Sequence, residues 1–233
     1  MRRIQNLMEQ WLFIGPDNRQ EQVNLPHTWN AKDGQDGGND YYRGTCHYEK
    51  TFEKPEFDPE AEEVYLEFLG VNASSDVTVN GKELAHHDGG YSTFRINITE
   101  VLEDRNKLEV TVDNSVNGKV YPQKADFTFY GGIYRDVRFL IVSKEHFDLD
   151  YLGSNGIKIT PEVKENEANV HIETFTNTEE AQVNVQIKDQ DGKVVAEGNG
   201  CDVNLNIQNP IRWHGRKNPY LYTAVATLTV NGE

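Results

Sequence analysis

Few stretches of this 233-residue sequence bring chemically capable side chains together. The densest is His86-His87-Asp88, whose imidazoles and carboxylate are of the types that move protons or ligate metals. It follows the Asn80-Gly81 dipeptide, and an exposed turn accounts for it more simply than a catalytic or metal cluster. A second is the run from Asn30 to Asp40, rich in Gly, Asp and Asn, whose carboxylates and amides could take calcium. Its spacing lacks the bidentate Glu that closes an EF-hand loop, so the metal reading is set aside. A third is Asp126 and the stretch Phe127 to Val137, where aromatic residues lead into Gly131-Gly132. Two residues without Cβ atoms let the backbone take positive φ or let another surface approach closely; an ordinary bulge or turn is the other reading. No two carboxylates stand out as an acid and base pair.

The elements that must position these groups alternate with period two. Val64, Leu66 and Phe68 share one face; Val77 and Val79 run into Asn80-Gly81, a dipeptide suited to a tight hairpin. Leu108, Val110 and Val112 alternate with Lys107, Glu109 and Thr111, and Val137, Phe139 and Ile141 repeat the pattern. Glu100-Val101-Leu102 could close one helical turn, and no amphipathic helix is evident. Between Trp29 and Tyr42 periodicity stops, which marks a loop of about a dozen residues, a length that tends to be functional.

After Ser143 aromatic residues thin out and short strands recur: Val170 and Ile172; Val183, Val185 and Ile187; Val194 and Val195; Val203, Leu205 and Ile207; then Tyr222 to Val230. Strands about ten residues apart, joined by Asn177-Thr178 and Asp191-Gly192 turns, read as a small antiparallel sandwich. The expected fold is all-β, with one domain over residues 1–143 and another over 144–233. Asn231-Gly232-Glu233 would open another turn, so this end is expected to be cut rather than finished.

Charge narrows the partners. The net charge is -15, and both halves are acidic, with -9 before Ser143 and -6 after it. Such a chain is repelled by phosphate backbones and anionic lipid, which disfavours nucleic-acid and membrane-surface partners. Cys46 and Cys201 are too few and too far apart for a zinc knuckle or disulfide framework. Arg2-Arg3 is not followed by an apolar segment, so the expectation is a cytoplasmic chain unless a leader was removed. The sequons at Asn72 and Asn97 are then chance matches.

Several motifs occur in an order that resembles glycoside hydrolase family 2, the β-galactosidase, β-glucuronidase and β-mannosidase group. Leu25-Pro26-His27-Thr28-Trp29 resembles its L-P-H-x-W segment, and Tyr42-Arg43 with Tyr48 to Phe52 resembles its next strand. Phe68-Leu69-Gly70-Val71, Val77-Thr78-Val79-Asn80-Gly81 and Gly89-Gly90-Tyr91-Ser92-Thr93-Phe94 follow in the family's order. Gly132-Ile133-Tyr134-Arg135-Asp136-Val137 is similar to its G-I-Y/F-R-D-V signature, and Pro219-Tyr220-Leu221-Tyr222 to its P-x-L-Y.

The resemblance implies a jelly-roll sugar-binding domain followed by an immunoglobulin-like sandwich. It also implies a catalytic (β/α)₈ barrel beginning after Glu233 and absent from this chain. Retaining hydrolysis needs two carboxyl groups about 5 to 5.5 Å apart, and these would lie in the barrel. The parent would be a retaining β-glycosidase, most similar to β-galactosidase, with β-glucuronide or β-mannoside as alternatives. In the galactosidase members, an Asp ahead of the G-I-Y/F-R-D-V signature binds sugar hydroxyls and helps hold a monovalent cation; Asp126 falls on that position. A second contact, an Asn in the loop after L-P-H-x-W, maps to Asn39 or Asp40. Amide and carboxylate groups suit a vicinal diol because they offer several hydrogen bonds in fixed directions. No organic cofactor is implied; Na⁺ or Mg²⁺ is, together with a β-linked saccharide substrate, the chain's own barrel as partner and a homo-oligomer. Arg135 and Asp136 are expected to be structural, Trp11 and Trp29 to pack in the core, and Trp213 to sit at the sandwich edge near the barrel. A stand-alone carbohydrate-binding protein or a non-catalytic assembly module stays open beside the enzyme.

Overall fold

The computed structural model describes residues 2–33, 42–121 and 128–232. The chain divides into two compact units, residues 1–144 and 145–233. It is all-β. The helical segments among the described residues are single 3₁₀ turns at Thr99–Val101, Tyr151–Gly153 and Gly215–Lys217, the first overlapping the turn expected at 100–102. No described helix is long and apolar enough to cross a membrane.

The first unit contains β1 (Arg3–Asn6), β2 (Trp11–Ile14), β3 (Gln20–Val23), β4 (Thr45–Glu53), β5 (Glu62–Phe68), β6 (Ser74–Val79), β7 (Lys82–Asp88), β8 (Phe94–Asn97), β9 (Arg105–Asp113) and β10 (Val137–Ser143). A four-stranded sheet runs β1-β10-β5-β8 and a six-stranded sheet runs β3-β2-β4-β9-β6-β7. Alternation decides which faces meet. In β9, Leu108, Val110 and Val112 are buried, and Val110 lies between Tyr48 of β4 and Val77 of β6. Val64, Leu66 and Phe68 of β5 with Phe139 and Ile141 of β10 join the same core. Phe52 and Phe139, from different sheets, have ring centroids 5.0 Å apart. Each such side chain contributes about 1.5–3 kcal/mol by leaving water, which is what holds two polar-backed sheets together.

Among the described residues a buried ion pair lies outside the apolar core. Glu67 of β5 has no exposed surface; Arg95 of β8 donates to it at 2.7 Å, Arg138 of β10 donates to its other oxygen, and Arg2 lies at 3.7 Å. The register places Arg138 and Arg95 directly across from Glu67 on neighbouring strands, so the carboxylate is bracketed by guanidinium groups.

His86, His87 and Asp88 lie in β7, not in a turn: the Asn80-Gly81 hairpin closes earlier, with φ of 52° and 78°, and its outgoing strand already includes them. His86 bridges the Asp76 and Asp88 carboxylates at 2.6 and 3.1 Å, and His87 stacks on Phe94. The hairpin to β7 was legible, but the strand's polar sequence hid its continuation. Among the described residues no group of three or more His, Cys, Asp or Glu side chains could hold a metal ion. Cys46 is buried and its thiol is pushed up to about 12 by desolvation, whereas Cys201 is exposed.

The second unit contains β11 (Ile157–Val163), β12 (Glu167–Thr174), β13 (Gln182–Lys188), β14 (Val194–Asn199), β15 (Asp202–Gln208) and β16 (Thr223–Thr229). They form two three-stranded sheets, β11-β12-β15 and β14-β13-β16, around one core. Alternate residues of β12, β13 and β15 supply it: Ala168, Val170 and Ile172; Val183, Val185 and Ile187; Val203, Leu205 and Ile207.

Candidate functional site

Several of the motifs that suggested a family, the L-P-H-x-W segment, the Phe68 to Val71 and Gly89 to Phe94 stretches and the signature itself, meet in the first unit around the Gly131-Gly132 step. His27 to Trp29, which follow a cis Leu25-Pro26 peptide, lie directly against it. His27 N–H donates to Ile133 O at 2.8 Å. A Cβ on Gly132 would stand 2.6 Å from His27 O and 2.7 Å from the Tyr48 hydroxyl, and one on Gly131 would stand 2.1 Å from the Trp29 ring. Gly132 also has φ of +126°. The glycine pair is therefore a close approach of two backbones, with positive φ at its second residue.

From the other side Asn72 and Gly132 exchange backbone hydrogen bonds at 3.0 and 3.1 Å, and Asn72 Nδ2 donates to Tyr130 O at 2.7 Å. The Tyr134 hydroxyl donates to Gly90 O. Arg135 donates to Leu69 O at 3.4 Å and Tyr91 O at 3.2 Å, so this side chain ties the 69–71 and 89–91 turns to the signature strand. Its expected structural role is what the contacts give. Trp11 is fully buried; Trp29 is only partly buried and packs on the edge of the core, stacked beside Phe13.

Two asparagines join the loops around this step. Asn30 has no exposed surface. Its Nδ2 donates to Asp33 Oδ2 at 2.6 Å and to Tyr42 O at 2.9 Å, while its Oδ1 accepts from Gly131 N at 2.7 Å and from Asn114 Nδ2 at 3.3 Å. Asn114, at the end of β9, also donates to Phe129 O at 3.1 Å and accepts from Gly44 N at 2.9 Å. One amide thus holds both flanks of segment 34–41 and the C-terminal flank of segment 122–127. The Arg43 guanidinium over the Phe129 ring, 5.2 Å from its centroid, adds a further tie between the same flanks.

Asn39, Asp40 and Asp126, the residues expected to meet substrate, lie outside the described residues, and so does the cation role given to Asp126. The structure brings together the bases of the two segments that carry them. Asn30, Asn72 and Asn114 were not recognised from the sequence. Their only signal is an asparagine at the end of a regular segment, where an amide can satisfy loose backbone groups.

Electrostatics around the step are quiet. Burial lowers the His27 pKa, so its ring stays neutral near neutral pH, with Nδ1 2.8 Å from the Tyr48 hydroxyl. Burial raises the Tyr48 pKa as well. Neither group is poised to exchange a proton near neutral pH, and the described part of the step is a scaffold of hydrogen bonds and close contacts.

Residues 38–148 match the model for the glycosyl hydrolase 2 galactose-binding domain-like family, and residues 154–233 match glycosyl hydrolases family 2. The chain belongs to glycoside hydrolase family 2. A β-glucuronidase of Bacteroides fragilis is 34% identical to it, over 91% of this chain and 33% of the relative. A β-galactosidase of Thermoanaerobacter pseudethanolicus is 28% identical, over 100% of this chain and 34% of the relative. The crystal structure of an FMN-binding β-glucuronidase from Facaelibacterium prausnitzii L2-6 superposes with a TM-score of 0.91 at 39% identity, covering 100% of this chain and 38% of that one. This family 2 chain spans about a third of the length of the curated relatives it matches. It corresponds to the non-catalytic N-terminal part of such an enzyme.

Proposed function

We propose that the full-length parent is a retaining β-glycosidase acting on β-glucuronides, and that this chain supplies the scaffold for one edge of its glycone pocket. The observation that carries the substrate class is similarity at 34% and 39% identity, over 91% and 100% of this chain, to proteins named β-glucuronidase, above the 28% to one named β-galactosidase. The scaffold role rests on Asn30, which fixes the bases of the loops bearing Asn39, Asp40 and Asp126. Fixed amide and carboxylate groups at a sugar rim orient the ring before chemistry. The two catalytic carboxyl groups belong to the barrel that the family resemblance implies.

The second reading is a galactoside substrate, favoured by a match over 100% of this chain to the Thermoanaerobacter relative and by the position of Asp126. Hydrolysis of p-nitrophenyl β-D-glucuronide and β-D-galactoside by the full-length polypeptide separates the two. We expect kcat/KM at least about tenfold higher on the glucuronide, and no turnover of either by the 233-residue chain. A galactoside preference would replace the glucuronide reading. In the parent, Asp126→Ala is expected to lower kcat/KM by about a hundredfold, the scale of losing hydrogen bonds to a charged partner; an unchanged value would take Asp126 out of the pocket. The Na⁺ or Mg²⁺ requirement is proposed with it, checked in the same assay after exchange into K⁺ buffer with a chelator.

A further inference from the structure

The sequence contains five Asn-Gly pairs: Asn80-Gly81, Asn117-Gly118, Asn155-Gly156, Asn199-Gly200 and Asn231-Gly232. Each carries the atoms of a spontaneous reaction. No Cβ shields a glycine amide nitrogen, so once that nitrogen loses its proton it can attack the side-chain Cγ of the asparagine before it. A folded chain permits this only where the glycine N–H is not held in a hydrogen bond and the asparagine backbone brings that nitrogen toward its own side chain. Donors aimed at Oδ1 help further, because that oxygen takes up negative charge when Cγ is attacked.

Four pairs fail these conditions. Gly156 N–H donates to Ser154 Oγ at 3.1 Å and Gly200 N–H donates to Val183 O at 2.8 Å. Asn80 and Asn231 both have φ of 52°. In that left-handed region the following amide nitrogen stands opposite Cβ, out of reach of Cγ. Asn80 is locked as well: its Oδ1 accepts from Lys107 N at 2.9 Å, and its Nδ2 donates to Val101 O at 2.8 Å and Asn106 Oδ1 at 2.9 Å. Asn117 differs on every count. Its backbone is outside the left-handed region. The Gly118 amide donates to no described residue, and a Cβ on Gly118 would meet nothing within 4 Å. Asn117 Oδ1 accepts from Lys119 N at 2.9 Å and Val120 N at 3.0 Å, two backbone donors on the oxygen that must be polarised. Its Nδ2, the leaving group, reaches Ser74 Oγ in a long bond of 3.5 Å.

We propose that Asn117 is a self-modification site, the asparagine that the folded chain converts to aspartate and isoaspartate ahead of its four counterparts. Gly118 N bonds to Asn117 Cγ, the Cγ–Nδ2 bond breaks, and Nδ2 leaves as ammonia with the proton from the glycine amide. Water then opens the five-membered imide at either carbonyl, giving aspartate at one and isoaspartate at the other. Opening to aspartate puts a carboxylate where the amide stood. Ser74 Oγ, which donates to Asp88 at 2.7 Å, then stands between two acceptors, and Lys119, paired with Asp88 at 3.0 Å, faces a second negative charge two residues away. Opening to isoaspartate adds a methylene to the main chain and breaks the spacing that lets Oδ1 receive Lys119 N and Val120 N. This inference concerns the first unit alone and stands whether the parent cleaves glucuronides or galactosides.

The test is peptide mapping by mass spectrometry during incubation at mildly alkaline pH, which supplies the deprotonated amide. It is run on the native chain, on the same chain held unfolded in urea, and on Gly118→Ala. In the native chain Asn117 is expected to convert at least about tenfold faster than each of the other four asparagines, since misplaced reacting atoms cost at least that much. The spread is expected to close in urea, and Gly118→Ala to slow conversion at least about tenfold by shielding the nitrogen. Conversion of Asn80, Asn155, Asn199 or Asn231 as fast as Asn117 in the native chain would overturn the proposal. So would a spread that persists in urea, since the preference would then belong to the local sequence and not to the fold. Conversion unchanged in Gly118→Ala would equally overturn it, because the Gly118 nitrogen would not be the attacking atom.

Discussion

Asn30 and Gly131, 101 residues apart in the chain, meet at 2.7 Å, with the Gly131 amide donating to the Asn30 side-chain oxygen inside a site closed to water. Because the same side chain also donates to the half-buried Asp33 and Tyr42, its removal leaves the buried Gly131 amide unmatched and breaks the other ties at once. Asn30→Ala is expected to lower the stability of the first unit by about 2–4 kcal/mol, each unsatisfied buried group costing about 1–3 kcal/mol. Urea unfolding of the chain measures this. In the parent enzyme kcat/KM should fall together with stability, and an unchanged midpoint would show that the loop bases are held by other contacts.

Gly132→Ala should be among the most damaging single changes in the first unit, at about 3 kcal/mol or more, because the new Cβ meets a backbone carbonyl at 2.6 Å and the residue has φ of +126°. Gly118→Ala is the matched control: a Cβ there meets nothing within 4 Å. Thermal unfolding of the two variants should separate by several degrees, and equal midpoints would remove the close-approach account.

Glu67→Ala removes the buried carboxylate that Arg95, whose side chain is 4% exposed, shares with Arg138 and Arg2. We expect a loss of about 3–5 kcal/mol, as for one partner removed from a buried pair. The double change Glu67→Leu with Arg95→Met should recover a large part of it, which a denaturation series on the three proteins would reveal.

His27 makes the folded state sensitive to acid. Burial holds its pKa below the ordinary value near 6.5, with the Tyr48 hydroxyl beside it and the Glu21 carboxylate opposing the shift. As pH falls through about 6.5, the unfolded chain takes up a proton that the folded chain refuses, so stability is lost from there down to the folded value. His86 has the opposite sign: Asp76 first and then Asp88 raise its pKa, so its contribution is present below 6.5 and lost as pH rises through the folded value. The difference in stability between wild type and His27→Gln isolates the first group and should increase from pH 5 to pH 7. A flat difference would mean that His27 protonates equally in both states.

Much of this was legible from residue patterns. Strands β6, β9, β12, β13 and β15 bury every second residue, most of them apolar, and β5 and β10 keep that alternation while also burying Glu67 and, on β10, Leu140 and Val142. Strands β1 and β3 gave no signal because they are short, polar and almost wholly exposed; backbone pairing alone defines them. The His86 to Asp88 strand was missed for the same reason. The candidate site was half legible. The glycine pair and the L-P-H-x-W residues announce themselves, but their mutual contact spans about a hundred residues of sequence. Asn30, Asn72 and Asn114 act through backbone groups that no side-chain pattern records.

The pairing of β1 with β10 sets a timetable. Arg3 lies opposite Ile141, and β10 then joins β1 to β5, so the first strand of the unit has no partner until its last strand exists. During synthesis at about 5–20 residues per second, Arg3–Asn6 waits roughly 7–28 seconds after it is made. Closing so distant a contact is slow in chain-entropy terms, and the half-built six-stranded sheet exposes its apolar face meanwhile. The growing chain is therefore most open to chaperones, and to mispairing, in the interval before Val137–Ser143 leaves the ribosome.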